Sequence, residues 1–205
     1  MESDEETINI IGDQFCVPYV IHLEVRRKVE SFSNAHYDVL DATGKVILQI
    51  DGGVWNSAKK RLMKDPAGFP LCTLRKKVIP LHIVEIYVQA LSWKNKWQIH
   101  QGESSEQNRV LCSVQQSDAI PIKNNMDVYL ASNYKEEEPD FHVTGSFTSL
   151  SFKVWKDNLI IAEVKHNYTW GSCKGKESFK VKVYPEVDYA FIVALIVIMH
   201  DTDNV

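Results

Sequence analysis

From Tyr189 to Met199 the chain reads YAFIVALIVIM, with no charge, no Gly and no Pro. This run constrains the fold more than any other stretch. Eleven helical residues span about 16 Å, whereas a bilayer core is about 30 Å thick and takes about 20 apolar residues to cross. Asp188 bounds the run on one side, and His200 with Asp201 on the other. The stretch is therefore expected inside a folded domain and not across a membrane. Ile192, Val193, Ile196, Val197 and Ile198 are β-branched and would suit a strand. Length favours a helix, Ala190 and Ala194 support one, and Asp188 suits its N-cap. A helix that is apolar all round must be enclosed on every side. Tyr189, Ala190, Phe191, Ala194, Leu195 and Ile198 are the expected core positions.

The upstream sequence supplies the enclosure as short strands separated by turns. YDVLDATGKVILQID reads as a hairpin around Asp41-Ala42-Thr43-Gly44, and Pro66-Ala67-Gly68 repeats that turn chemistry. Runs 150–155 and 159–165 pair across 156–158. In SFKVKV, Phe179, Val181 and Val183 alternate with Ser178, Lys180 and Lys182. Further strands are expected at 19–29, 97–100, 109–114, 126–132 and 140–147. Turns at this spacing indicate an antiparallel barrel or sandwich. A closed barrel has no free edges, and a wide one needs filling. The helix is a suitable plug.

Several of these segments resemble one family. VYPEVDYAFIVALIVI (183–198), YDVLDATGKVILQIDG (37–52), RLMKDPAGFPLCTLRKK (61–77) and WQIHQGES (97–104) are similar to successive motifs of the plant LURP-one-related (LOR) proteins. FHVTGSF and IIAEV resemble the later strands. The resemblance covers roughly Pro18 to Asp201. It implies a mainly β fold, a closed antiparallel barrel of about twelve strands around a C-terminal hydrophobic helix, of the tubby C-terminal-like type. It also implies a non-enzymatic, phosphoinositide- or membrane-tethered signalling scaffold, tied to defence through one namesake. The alternative by superfamily is a scramblase-related lipid-handling protein. The calcium motif of scramblases does not carry over, because SFKVKVYPEV before the helix is not acidic.

Residues 1–15 (MESDEETINIIGDQF) are expected to be a disordered acidic tail, with the barrel over 16–205. The acidic start does not resemble a secretory signal. The expected location is cytoplasmic, at the plasma membrane periphery or nuclear, and the Asn167 sequon is not expected to be glycosylated. Cys16, Cys72, Cys112 and Cys173 lie far apart with no CxxC, which suits reduced thiols in a cytosolic protein. A net charge of -4 and a pI near 6.0 give no sign of nucleic-acid binding.

Catalytic, metal and cofactor motifs are not found. GSCKGKE (171–177) has the wrong spacing for a phosphate loop and Glu177 where Ser or Thr is needed. The seven histidines form no i, i+4 pair, and HDTDN (200–204) reads as a solvated acidic tail. The basic residues carry two readings. They are plain solvated surface, or a patch for anionic lipid head groups. For the second, Arg75 and Lys77 share one strand face, as do Lys180 and Lys182. A last feature is VIPLHIVEIYVQALSWKNK (78–96), longer and more apolar than the family pattern. Ile83, Ile86, Tyr87, Ala90 and Leu91 recur at helical spacing, and the β-branched residues also allow extended strands. Extra residues break strand alternation, so part of 80–95 is expected to project from one barrel end and offer a face to a protein partner.

Overall fold

The computed structural model describes residues 6–31, 34–52, 60–77, 96–104, 106–117, 125–146, 151–167 and 176–203. Twelve strands run in order: β1 (Ile21–Ser31), β2 (Asn34–Leu40), β3 (Val46–Asp51), β4 (Lys60–Lys64), β5 (Pro70–Lys76), β6 (Trp97–Gln101), β7 (Val110–Gln116), β8 (Met126–Leu130), β9 (Phe141–Ser146), β10 (Ser151–Lys156), β11 (Leu159–Asn167) and β12 (Lys176–Val183). Each strand pairs antiparallel with its sequence neighbours, and β1 pairs with β12, which closes the barrel. The single α-helix among the described residues, α1 (Tyr189–Asp203), fills the interior. The barrel-or-sandwich alternative resolves to the barrel, and the apolar run is helical.

Two turns show how local chemistry shapes the rim. Asp41 Oδ1 accepts hydrogen bonds from the Thr43 N–H (2.8 Å), Thr43 Oγ1 (2.6 Å) and the Lys45 N–H (3.0 Å). Gly44 takes φ 84°, where a side chain would be strained. Asp65 and Gly68 repeat the arrangement, with Phe69 N–H donating to Asp65 Oδ1 at 2.8 Å and Gly68 at φ 89°. Both hairpins carry a register shift beside the turn, at Val39/Leu40 and at Met63/Lys64, as expected for a turn closed by a left-handed residue.

Alternation along the strands sends one face inward. Val25, Val39, Leu48, Ile50, Leu74, Ile99 and Val181 all pack in the core with α1. Ala190, Phe191, Ala194, Leu195 and Ile198 are fully buried, while Tyr189 is half-buried against Phe15, ring centroids 5.4 Å apart. Burying the large side chains of Phe191 to Met199 contributes on the order of 12–24 kcal/mol gross, most of it offset by ordering entropy. No described helix is long and apolar enough to cross a membrane.

The expectation of a disordered tail over 1–15 does not hold for the described part. Ile8 bridges Val187, Ile8 and Phe15 join the core, and Asp13–Phe15 form a 3-10 turn. Asp188 explains the fold-back. Its carboxylate caps α1 by accepting the Phe191 N–H (3.0 Å), and also accepts the N–H groups of Ile10 (3.2 Å), Ile11 (2.6 Å) and Gly12 (3.2 Å). Burial still pushes its pKa up, against those four bonds. Residues 78–95 lie outside the described residues. Their flanks are tied together, since the Lys77 N–H donates to the Lys96 carbonyl at 2.8 Å and Lys96 Nζ bonds Glu136 at 2.5 Å.

Candidate functional site

The alternation of β12 turns Ser178, Lys180 and Lys182 outward, between the outward faces of β1 and β11. The register fixes their neighbours. Lys182 lies opposite His22 on β1 and Glu163 on β11, and Lys180 lies opposite Glu24 and Lys165. These six side chains line a surface groove of about 390 Å³. Its upper row is self-satisfied. Tyr184 Oη donates to Glu163 at 2.8 Å, and Lys182 Nζ bonds Tyr184 Oη at 2.9 Å and reaches Glu163 at 3.5 Å. The Tyr184 hydrogen bond, aided by Lys182, holds the Glu163 carboxyl below its usual range. The lower row differs. Glu24 is paired with Arg26 at 2.7 Å, and Arg26 together with the Lys180 charge opposite holds its carboxyl below its usual range. Lys165 and Lys180 face each other across the β11–β12 ladder with no ion pair or hydrogen bond among the described residues. Like charges directly opposite are destabilising, and a bound anion would remove that cost.

Arg75 and Lys77 are also exposed, but elsewhere. Arg75 on β5 lies opposite Lys60 and Gln98. Between β12 and β5 stand β1, β2, β3 and β4 one way and six strands the other. The two basic pairs suggested by the sequence are therefore not neighbours, and no single small ligand meets both.

A second polar centre lies inside the barrel, where α1 ends. Asp201 accepts two hydrogen bonds from Arg61, through Nε and through Nη2 (2.8 Å), while Arg61 Nη1 donates to the Gly52 carbonyl at 2.5 Å. Tyr37 Oη sits 2.8 Å from His200 Nδ1 and 3.3 Å from Asp201 Oδ1. His200 Nε2 lies 2.6 Å from Glu177, which Arg27 approaches at 3.4 Å. Trp97 Nε1 donates to Thr202 Oγ1 at 3.1 Å. Burial disfavours a charge on His200, but its bonds to Asp201 and Glu177 win and raise its pKa. As an imidazolium it donates from both ring nitrogens. Burial likewise works against the Asp201 carboxylate, and His200 and Arg61 hold its pKa down. These groups bond mainly to one another. The centre fastens the helix end to β1, β2, β4, β6 and β12.

A family model described as LURP-one-related matches residues 21–201. The chain belongs to the LURP-one-related family. Among its relatives from Arabidopsis thaliana, Protein LURP-one-related 14 is 46% identical, the match covering 98% of this chain and 93% of the relative. Protein LURP-one-related 9 is 37% identical over 96% of this chain and 98% of the relative. The X-ray structure of an Arabidopsis thaliana protein superposes with a TM-score of 0.69 at 28% identity, covering 95% of this chain and 98% of that one.

In this LOR barrel the polar centre escaped the sequence reading. HDTDN (200–204) is not a solvated tail, since His200 and Asp201 are buried within α1 and 204 lies outside the described residues. Arg61, read as part of a solvated basic cluster, points inward and is 3% exposed. Parity was the available signal, because Arg61 shares the inward phase of Met63 on β4. Lys165 was also missed, since only the β11–β12 register brings it to Lys180.

Proposed function

We propose that this LOR barrel is a non-enzymatic binding protein that attaches to anionic membrane lipid, phosphoinositides being the expected class, and acts as a scaffold in plant signalling. The observation that carries this reading is the Lys165–Lys180 pair, two opposed cations in a surface groove, neither in an ion pair or hydrogen bond among the described residues, with Glu24 as the nearest opposite charge to Lys180 in the register. A phosphate monoester bridging both ammonium groups would turn a repulsion into two charge-assisted contacts. His22 and Lys182 stand in the row beside them. The non-enzymatic reading is supported by the closed character of the polar centre, whose ionisable groups are engaged with one another. The test is flotation with phosphatidylcholine vesicles, with and without phosphoinositide. Wild type should float with the phosphoinositide vesicles, and Lys165→Gln with Lys180→Gln should abolish this without lowering the melting temperature, since neither substitution sets a new like charge opposite Glu24. Equal flotation of wild type and the double variant would refute the reading.

A further inference from the structure

We propose that the barrel docks side-on to the membrane through its β1–β12–β11 face, with Tyr19, Val20 and Leu159 entering the bilayer interface beside the lysine groove. This rests on the lipid-binding reading above and goes beyond it by fixing an orientation and naming the apolar residues that insert.

The large hydrophobic side chains exposed among the described residues are Tyr19, Val20, Phe69, Tyr134 and Leu159. All lie on connections or at a strand end at the barrel end where α1 begins, but their surroundings differ. Tyr19 and Val20 precede β1, whose first residue, Ile21, lies opposite Val183 of β12. Ala162 of β11 lies opposite the same Val183, and Leu159 stands three residues beyond it. Tyr19 (60% exposed) and Leu159 (72% exposed) therefore stand above the groove on either side of β12, while Asp41 and Ala42 line its edge beside β1. Below them come the Lys182 row and then the Lys180–Lys165 row. The Tyr184 ring carries the Lys182 ammonium 4.3 Å from its centroid, joining the apolar edge to the basic floor. An apolar and aromatic edge above lysines is the arrangement that suits a headgroup region.

Phe69 and Tyr134 lack that setting. Phe69 follows Asp65 on the β4–β5 turn, and Tyr134 precedes the exposed Glu137 and Glu138. An anionic surface repels the Tyr134 site, and on the Phe69 hairpin Lys64 and Lys60 are already paired with Asp51 and Glu103. On the proposed face Glu24, Glu163 and the groove-lining Asp41 are already engaged, by Arg26, by Tyr184 with Lys182, and by Thr43 with the Lys45 N–H. Asp157 at the β10–β11 turn limits insertion to interfacial depth, because a carboxylate is costly to bury.

The test uses the full chain and phosphatidylcholine vesicles containing phosphoinositide. Removing two interfacial apolar side chains with Tyr19→Ser and Leu159→Ser should weaken binding about tenfold or more. The control pair Phe69→Ser and Tyr134→Ser should leave it within a factor of about two, because side chains away from the docking face lose no burial. All four positions are exposed, so folding is checked by an unchanged melting temperature. If the first pair has no effect while Lys165→Gln with Lys180→Gln abolishes binding, the orientation is wrong and the lipid-binding reading stands. If the control pair matters more, the orientation is also wrong. If wild type does not bind these vesicles, both proposals fall.

Discussion

Replacing Asp201 by Ala tests whether the polar centre holds the barrel around its helix. Asp201 is 2% exposed and accepts two hydrogen bonds from Arg61, itself nearly as buried. The substitution strips the guanidinium of the Asp201 carboxylate, while its bond to the Gly52 carbonyl remains. Breaking a buried pair on one side costs about 3–5 kcal/mol, because an uncompensated charge remains in a medium that solvates it poorly. Total stabilities are about 5–15 kcal/mol, so the loss is a large fraction. At this chain length each kcal/mol moves the midpoint by about 2–4 °C, so the melting temperature should fall by about 6–20 °C. The assay is urea denaturation followed by circular dichroism, alongside thermal melts. The double variant Arg61→Met with Asp201→Leu should recover most of the loss, since removing both charges leaves no orphan. A loss below about 1 kcal/mol for Asp201→Ala would refute the reasoning, because it would mean the pair is solvated or relaxed.

Other perturbations follow the same physics. Ala194→Asp places a carboxylate where the helix is fully buried and should unfold the domain, seen as insoluble protein or loss of the cooperative melt. His200 has a folded-state pKa raised above its ordinary 6.5, so its charged form stabilises the fold fully below about 6.5, and that stability is lost as pH rises through the folded value. The stability gap between wild type and His200→Gln should therefore shrink with rising pH in parallel denaturation series. Burial pushes the Cys72 and Cys112 thiols well above their usual range, so native protein should resist alkylation at both while urea exposes them, as read by mass spectrometry. Deleting residues 80–92 should leave a cooperatively melting barrel, because Lys77 and Lys96 already meet across the strand ends; failure to melt cooperatively would place the stretch in the core.

What was readable from the residues was what local physics decides. The length and polarity limits of Tyr189–Met199 required an enclosed helix. The Asp-x-x-Gly turns at Asp41 and Asp65 placed two hairpins, because a side-chain acceptor and a left-handed glycine act within five residues. The period of two in SFKVKV put Lys180 and Lys182 outside. What the tertiary structure decided depends on closure of the ring. Strand order separates Arg75 from Lys180 by about half the barrel, and the register between the consecutive strands β11 and β12 sets Lys165 against Lys180. The same closure turned the polar ends of the apolar run inward. Asp188 found three N–H groups of the N-terminal segment, and His200 and Asp201 found Tyr37, Glu177 and Arg61. A charged residue flanking a hydrophobic run is exposed unless partners from distant strands compensate its desolvation, and those partners exist only after the barrel has closed.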